Sequence, residues 1–255
     1  MKSTPNDIKR YFENTKVIKP AHNPPLRFFL KKPTFFNRVD AIFSPDKFSL
    51  DEVDVVVTER IIEFPFVFRV LEKREGMKVF EFGCANSLLS YQLVNSGYSV
   101  TGIDLREYRL PNKNFEFIKG NLFDVDLPKN QFDAVIAVSA LEHIGLAAYK
   151  EKQNSQHSDK KAVEIFHDLL KPNGQLIFTV PAGLYEEHRF FRIYDENSLI
   201  RLLEKFSINM IEYYAKYNNT EWEEVSEKEI IKYSWKEKYN GNGSFGVACI
   251  SATAS

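Results

Sequence analysis

From Val79 onward the chain falls into short apolar runs separated by small or charged residues. Val79 to Phe82, Tyr98 to Ile103, Phe115 to Ile118, Phe132 to Val138 and Gln175 to Val180 are too short for helices and rich in Val, Ile and Phe, which predicts strands. Between them, Leu88 to Val94 and the stretch from about Lys160 to Leu170 read as helices. That alternation predicts parallel βαβ winding with right-handed crossovers. Lys171, Pro172, Asn173 and Gly174 read as a turn that stops the second of these helices. Further on come a helix from Asp195 to Lys205 capped by Asp195, a strand from Ile208 to Tyr214 and a terminal strand from Val247 to Ser251. The charged stretch Asn218 to Gly243 reads as an insertion between the last two strands, which are expected to close the sheet as an antiparallel pair.

The segment before this core has another texture. Pro20, Pro24, Pro25, Pro33 and Pro45 exclude a long regular element, while Phe28, Phe29, Phe35, Phe36 and Phe43 are too many large apolar groups to leave in water. Residues 1–50 are therefore expected to form an arm that packs on the core, on a partner subunit or over the active site as a lid, with the main domain at 51–255. A homo-oligomer would form through this arm. From Ser49 to Lys73 the apolar spacing suggests helical packing interrupted near Pro65.

Charge narrows the partners. Lys and Arg total 34 against 35 Asp and Glu, a net charge of -1, so the chain carries no electrostatic footprint for a nucleic-acid backbone. Cys84 and Cys249 have no metal-ligand spacing and sit in apolar surroundings, as expected of free thiols in a reducing cytoplasm. No apolar leader and no run of membrane-spanning length is visible, and a cytoplasmic protein is expected.

The chemistry centres on Met77 to Ser87, M-K-V-F-E-F-G-C-A-N-S: a strand, a small-residue turn and the start of a helix. Gly83 and Ala85 let a ligand approach the backbone, and the first helical N–H groups point outward. Glu81 precedes the turn, and Asp104 ends the next apolar run, where an acid can accept both hydroxyls of a ribose. In an open parallel sheet, ligands bind beyond the carboxyl ends of the strands, and Gly83, Asp104, Asn121 and Ser139 all fall there.

The run Glu81-Phe82-Gly83-Cys84-Ala85-Asn86-Ser87 resembles the first motif of the class I S-adenosylmethionine-dependent methyltransferases, with Ala85 and Ser87 in place of two glycines. G-N-L-F-D at 120–124, F-D-A-V-I-A-V-S-A-L-E-H-I-G at 132–145 and L-L-K-P-N-G-Q-L-I-F-T-V-P at 169–181 extend the resemblance in register. It implies a Rossmann-like α/β fold: a mostly parallel seven-stranded sheet, helices on both faces and an antiparallel C-terminal strand. It also implies S-adenosylmethionine as cofactor, lined by Glu81, Gly83, Cys84, Ala85, Ser87, Asp104, Leu105, Asn121, Leu122, Phe123, Val138 and Ser139. Asn121 stands where the family commonly has Asp for the adenine amino group, and its amide oxygen can still accept. The backbone N–H of Leu122 would meet a ring nitrogen.

Glu142 and His143 follow the fourth strand, where the family often keeps reactive groups, and His143 is the candidate general base. Two groups of these enzymes hold a divalent metal with a Glu-x-x-Glu-His run here. Ser139 replaces the first Glu, and no metal is expected. His188, Arg189, Arg192 and Tyr194 crowd the loop after the fifth strand and are the candidate acceptor site, with Arg192 able to grip a phosphate or carboxylate. His157 reads as solvated loop and His167 as helix surface. The layout is similar to a bacterial subgroup associated with surface-polysaccharide and capsule biosynthesis, which implies a small or nucleotide-linked glycan precursor, methylated on a sugar hydroxyl or a phosphoramidate-type group. Two other readings stay open. One is a nicotinamide-dependent sugar oxidoreductase or epimerase, against which Leu88 stands where its fingerprint needs a third glycine. The other is a non-catalytic cofactor-binding partner subunit.

Overall fold

The computed structural model describes residues 58–74, 76–108, 114–146, 157–216, 221–232 and 246–255. The arm expected over 1–50 lies outside them. In chain order the strands are β1 (Lys78–Phe82), β2 (Ser99–Asp104), β3 (Phe115–Lys119), β4 (Phe132–Val138), β5 (Leu170–Ala182), the short pair β6 (Glu186–Glu187) and β7 (Arg192–Ile193), β8 (Phe206–Lys216), β9 (Trp222–Val225) and β10 (Gly246–Ala254). Eight of them form one sheet in the order β3-β2-β1-β4-β5-β10-β8-β9, and β6 pairs with β7 apart from it. The pairings among β3, β2, β1, β4 and β5 are parallel, and β10 runs antiparallel to both β5 and β8. The expected fold is therefore present with one correction. The charged insertion contributes β9 to the sheet edge against Tyr213–Lys216, which raises the strand count from seven to eight.

Helices α1 (Arg60–Val70), α2 (Leu89–Asn95), α3 (Ser158–Leu169), α4 (Glu196–Leu202) and α5 (Glu227–Ile230) flank the strands. Side-chain alternation sorts the two faces. Phe80 of β1, Val135 and Ala137 of β4, and Leu176, Phe178 and Val180 of β5 join Val163, Phe166 and Leu199 of α3 and α4 in one buried cluster. The intervening positions Glu81 and Thr179 point to the opposite face, where α1 packs on β5 and β10. α4 starts at a capping box in which Asp195 accepts from the Ser198 N–H at 2.8 Å, as the sequence predicts.

Two local expectations change. α1 runs through Pro65 without interruption, because the ring lies on the exposed side while Ile61, Ile62, Phe64, Phe66 and Val67 are buried around it. Packing of that apolar set offsets the single hydrogen bond that proline removes. The turn at Lys171–Gly174 is a bulge inside β5: Asn173 has φ 61°, and pairing jumps from Phe132 with Leu170 to Ala134 with Gln175. No helix among the described residues is long and apolar enough to cross a membrane.

Candidate functional site

Gly83 leaves β1 with φ 78°, and a Cβ added there would stand 2.5 Å from the Cβ of Ala140 after β4. The Ala140 methyl therefore sits over Gly83, at a position that only glycine fills. Its N–H donates to the Ile103 carbonyl at 2.9 Å, tying the turn to β2. Ser87 accepts from the Leu89 N–H at 2.9 Å and starts α2. Glu81 is buried beneath the turn and accepts from Ser90 of α2; burial, only partly offset by that bond, pushes its carboxyl up to about 7. The Cys84 side chain turns inward against Gly102, so of this cofactor candidate only the backbone faces the turn, and burial pushes its thiol up.

Asp104 ends β2 as expected, and its two oxygens hold the Ala85 N–H at 2.9 Å, the Arg106 N–H at 2.9 Å and the Arg106 guanidinium at 3.0 Å. It thereby fixes the glycine turn, and these four donors fill its acceptor sites. Leu105 is half-buried beside it, and Tyr108 lies 3.4 Å from the Ser87 carbonyl with its ring on Phe115 and Phe117. Asn121 Oδ1 accepts from the Phe123 N–H at 3.1 Å in a local turn, with Leu122 buried and the Phe123 ring exposed.

At the end of β4, Val138 is buried and Ser139 takes φ 42°, a left-handed value costly for a side-chain residue. A clamp from α1 holds it. Glu63, fully buried, accepts from Ser139 Oγ at 2.5 Å and from Thr179 Oγ1 at 2.6 Å, and it pairs with Arg60 one helical turn earlier. Thr179 in turn accepts from the Ser139 N–H at 3.0 Å. A short 3-10 turn, Leu141–His143, follows. His143 Nδ1 lies 2.6 Å from the Phe190 carbonyl, which can only accept, so Nδ1 carries the proton and Nε2 presents a lone pair. Glu142 Oε1 is 3.6 Å from that Nε2, and burial pushes the Glu142 carboxyl up to about 8.

The candidate acceptor residues separate into two groups. Arg192 is buried; its Nε donates to Glu187 at 2.9 Å, its Nη1 donates to the Ile144 carbonyl at 2.8 Å, and Asp159 lies 3.8 Å away. Tyr194 is buried and donates to Asp159 at 3.0 Å. These two brace the His143 turn from below instead of gripping an acceptor, because Ile193 is fully buried and Tyr194 belongs to the core cluster, and they draw their neighbours in. His188, stacked on Phe191 at 4.7 Å, and Arg189, over the Phe190 ring, stay on the loop beside exposed Leu184, Tyr185 and Phe190. Arg192→Lys is expected to lower stability by about 1–3 kcal/mol in urea unfolding, because one ammonium cannot serve both the Glu187 carboxylate and the Ile144 carbonyl. An unchanged midpoint would remove the brace.

Residues 80–178 match the family model described as a methyltransferase domain. An uncharacterized methyltransferase of Bacillus licheniformis is 25% identical over 139 residues, 49% of this chain and 60% of its own length. A S-adenosylmethionine-dependent methyltransferase of Methanosarcina mazei superposes with a TM-score of 0.53 at 16% identity, covering 74% of this chain and 97% of that one. A 1,6-didemethyltoxoflavin-N1-methyltransferase of Burkholderia thailandensis, solved with 1,6-didemethyltoxoflavin and S-adenosylhomocysteine, gives 0.52 at 14% identity, covering 86% of each. Residues 80–178 thus match a methyltransferase domain in sequence, and the described residues share the fold of S-adenosylmethionine-dependent methyltransferases. Against the curated relatives the matched stretch covers between 22% and 60% of their own length.

The site fits S-adenosylmethionine on grounds of its own at a turn closed to any side chain at Gly83 and at an amide oxygen of Asn121 with a second lone pair, whereas the Asp104 carboxylate already accepts from four N–H groups and takes a ribose only by releasing Arg106. Gly83→Ala should destabilise the domain by about 1–2 kcal/mol from φ alone, and overlap with Ala140 should also weaken S-adenosylhomocysteine in calorimetry. Wild-type affinity and melting temperature would show that the turn adapts. Sequence reasoning passed over Arg60, Glu63, Thr179, Arg106 and Tyr108. The usable signal was Glu63 itself, an acid inside the apolar run I-I-E-F-P-F, where a charge survives only if it is partnered.

Proposed function

We propose that the chain is an O-methyltransferase, moving the methyl group of S-adenosylmethionine to a hydroxyl of a small or nucleotide-linked glycan precursor used in bacterial surface-polysaccharide biosynthesis. The supporting observation is His143. Its tautomer is set by the Phe190 carbonyl, so that Nε2 presents a lone pair after the end of β4, three residues beyond the Gly83 contact with Ala140. A hydroxyl is a poor nucleophile until its proton leaves, and a base placed there serves an oxygen acceptor. Alignment of nucleophile and methyl group by the Gly83 and Ser139 loops would supply the larger share of the barrier reduction. The bacterial-glycan setting rests on the sequence resemblance, and the exposed loop with Arg189, Phe190 and Tyr185 provides cation and rings for a nucleotide-linked sugar.

The test is incubation with S-adenosylmethionine and a panel of nucleotide-linked sugars, read by mass spectrometry with the methylated atom located by NMR. An O-methyl sugar is the expected product. Methylation on nitrogen or carbon would overturn the oxygen assignment. Micromolar binding of NAD without S-adenosylhomocysteine binding would favour the oxidoreductase.

A further inference from the structure

Glu142 is a buried acid with one oxygen left over. Its side chain is buried to 3% exposure, yet Oε2 has no hydrogen-bond partner among the described residues. The groups that face it are Glu59, Arg60 and Glu63 from α1, Tyr194 from the end of β7 (Arg192–Ile193), and His143 on its own turn. Arg60 lies close to Glu59 and hydrogen-bonds Glu63, so the nearest cation is already committed to other acids. A buried carboxyl in such company holds its proton near neutrality, in accord with its shift to about 8. Ala140, two residues earlier, touches Gly83, so the orphaned oxygen belongs to the turn that joins the cofactor loop to the base.

We propose that Glu142 balances the charge of the reaction: ionised while the sulfonium is bound beside it, and protonated again by the proton the acceptor gives up. The idea deepens the reading above and rests on it. In the step, the S–CH3 bond breaks with its electron pair going to sulfur, and an O–CH3 bond forms. The acceptor O–H proton passes to His143 Nε2 and from there to the Glu142 carboxylate. One positive and one negative charge disappear together, leaving a neutral thioether beside a neutral carboxyl. A buried site that never holds an uncompensated charge avoids the large cost of desolvating one.

S-adenosylmethionine and S-adenosylhomocysteine share an ammonium and a carboxylate and differ at sulfur, so the pair isolates the effect. Calorimetry of the full chain in buffers of different ionisation enthalpy should show nearly one proton released at pH 7 on binding the first and close to none on binding the second. The sign follows: the sulfonium selects the carboxylate, so its Kd should tighten about tenfold per pH unit from pH 6 to pH 8 and then level, while that of the thioether stays flat. Glu142→Gln should abolish the difference. Glu81→Gln, which alters the other buried acid of the cofactor loop, should keep it. Equal proton release for both ligands in the wild type overturns the proposal without any variant, since the ammonium would then be responsible. A difference that survives Glu142→Gln and vanishes in Glu81→Gln assigns the charge to Glu81 and overturns it as well. Failure of both ligands to bind the wild type would instead sink the cofactor reading beneath it.

Discussion

His143→Ala is expected to lower kcat by about 100- to 10,000-fold for a hydroxyl acceptor, the range that general-base catalysis supplies. Affinity for S-adenosylhomocysteine should hold, because the ring spends its Nδ1 on the Phe190 carbonyl rather than on the Gly83 turn. The acidic limb of the kcat profile should vanish with the residue, since that limb reports protonation of Nε2. His143→Gln can still donate to the Phe190 carbonyl and keep the loop, but it has no basic lone pair; it should be as slow as the alanine variant. Recovery of rate in His143→Gln would mean that the residue positions the loop and that the base lies elsewhere. A fall in cofactor affinity with kcat intact would recast the ring as packing for the cofactor.

Glu63→Ala is expected to cost about 3–5 kcal/mol of folding stability, the range for breaking a buried ion pair by removing one partner. The alanine would strand the Arg60 guanidinium and the hydroxyls of Ser139 and Thr179 at once. The effect should reach the site as well, because Ser139 is kept at φ 42° by that same clamp. Glu63→Gln retains an oxygen for the two hydroxyls and gives up only the charge, so it should fall between wild type and alanine. Urea denaturation followed by tryptophan fluorescence reads the order. Equal midpoints for all three proteins would show that α1 merely covers the sheet.

The elements whose burial is decided locally were legible in the sequence. Ala134 to Val138 and Leu176 to Phe178 are apolar runs buried on both faces, and such runs have few alternatives to a central strand. Asp195 announces its helix by the capping chemistry it performs. β9 was hidden because W-E-E-V is half charged, and it is a strand only because the edge of β8 is there to receive it. The same distinction divides the site. Gly83 and Asp104 act through their own backbone position, and their places could be read from spacing. Arg192 was read as a grip for an anionic acceptor because a cation in a ligand-side loop can serve as one; its burial depends on Glu187, Asp159 and the Ile144 carbonyl converging from three parts of the chain. Glu63 and Thr179 meet across a sequence separation of 116 residues, which no local pattern encodes.

The placement of β10 carries a consequence for how the protein is made. Gly246–Ala254 lies between β5 and β8, and nearly every residue of it is buried. On the ribosome β8 is translated well before β10, with nothing to join it to β5. Until residue 254 emerges, the nascent chain holds a parallel half whose β5 edge is open and a detached β8–β9 hairpin, both ready templates for a neighbouring polypeptide. A stop codon anywhere before Gly246 should therefore yield inclusion bodies rather than a shortened enzyme. Added in trans, a peptide of sequence 246–254 would seal the gap from outside, in the manner of a donated strand.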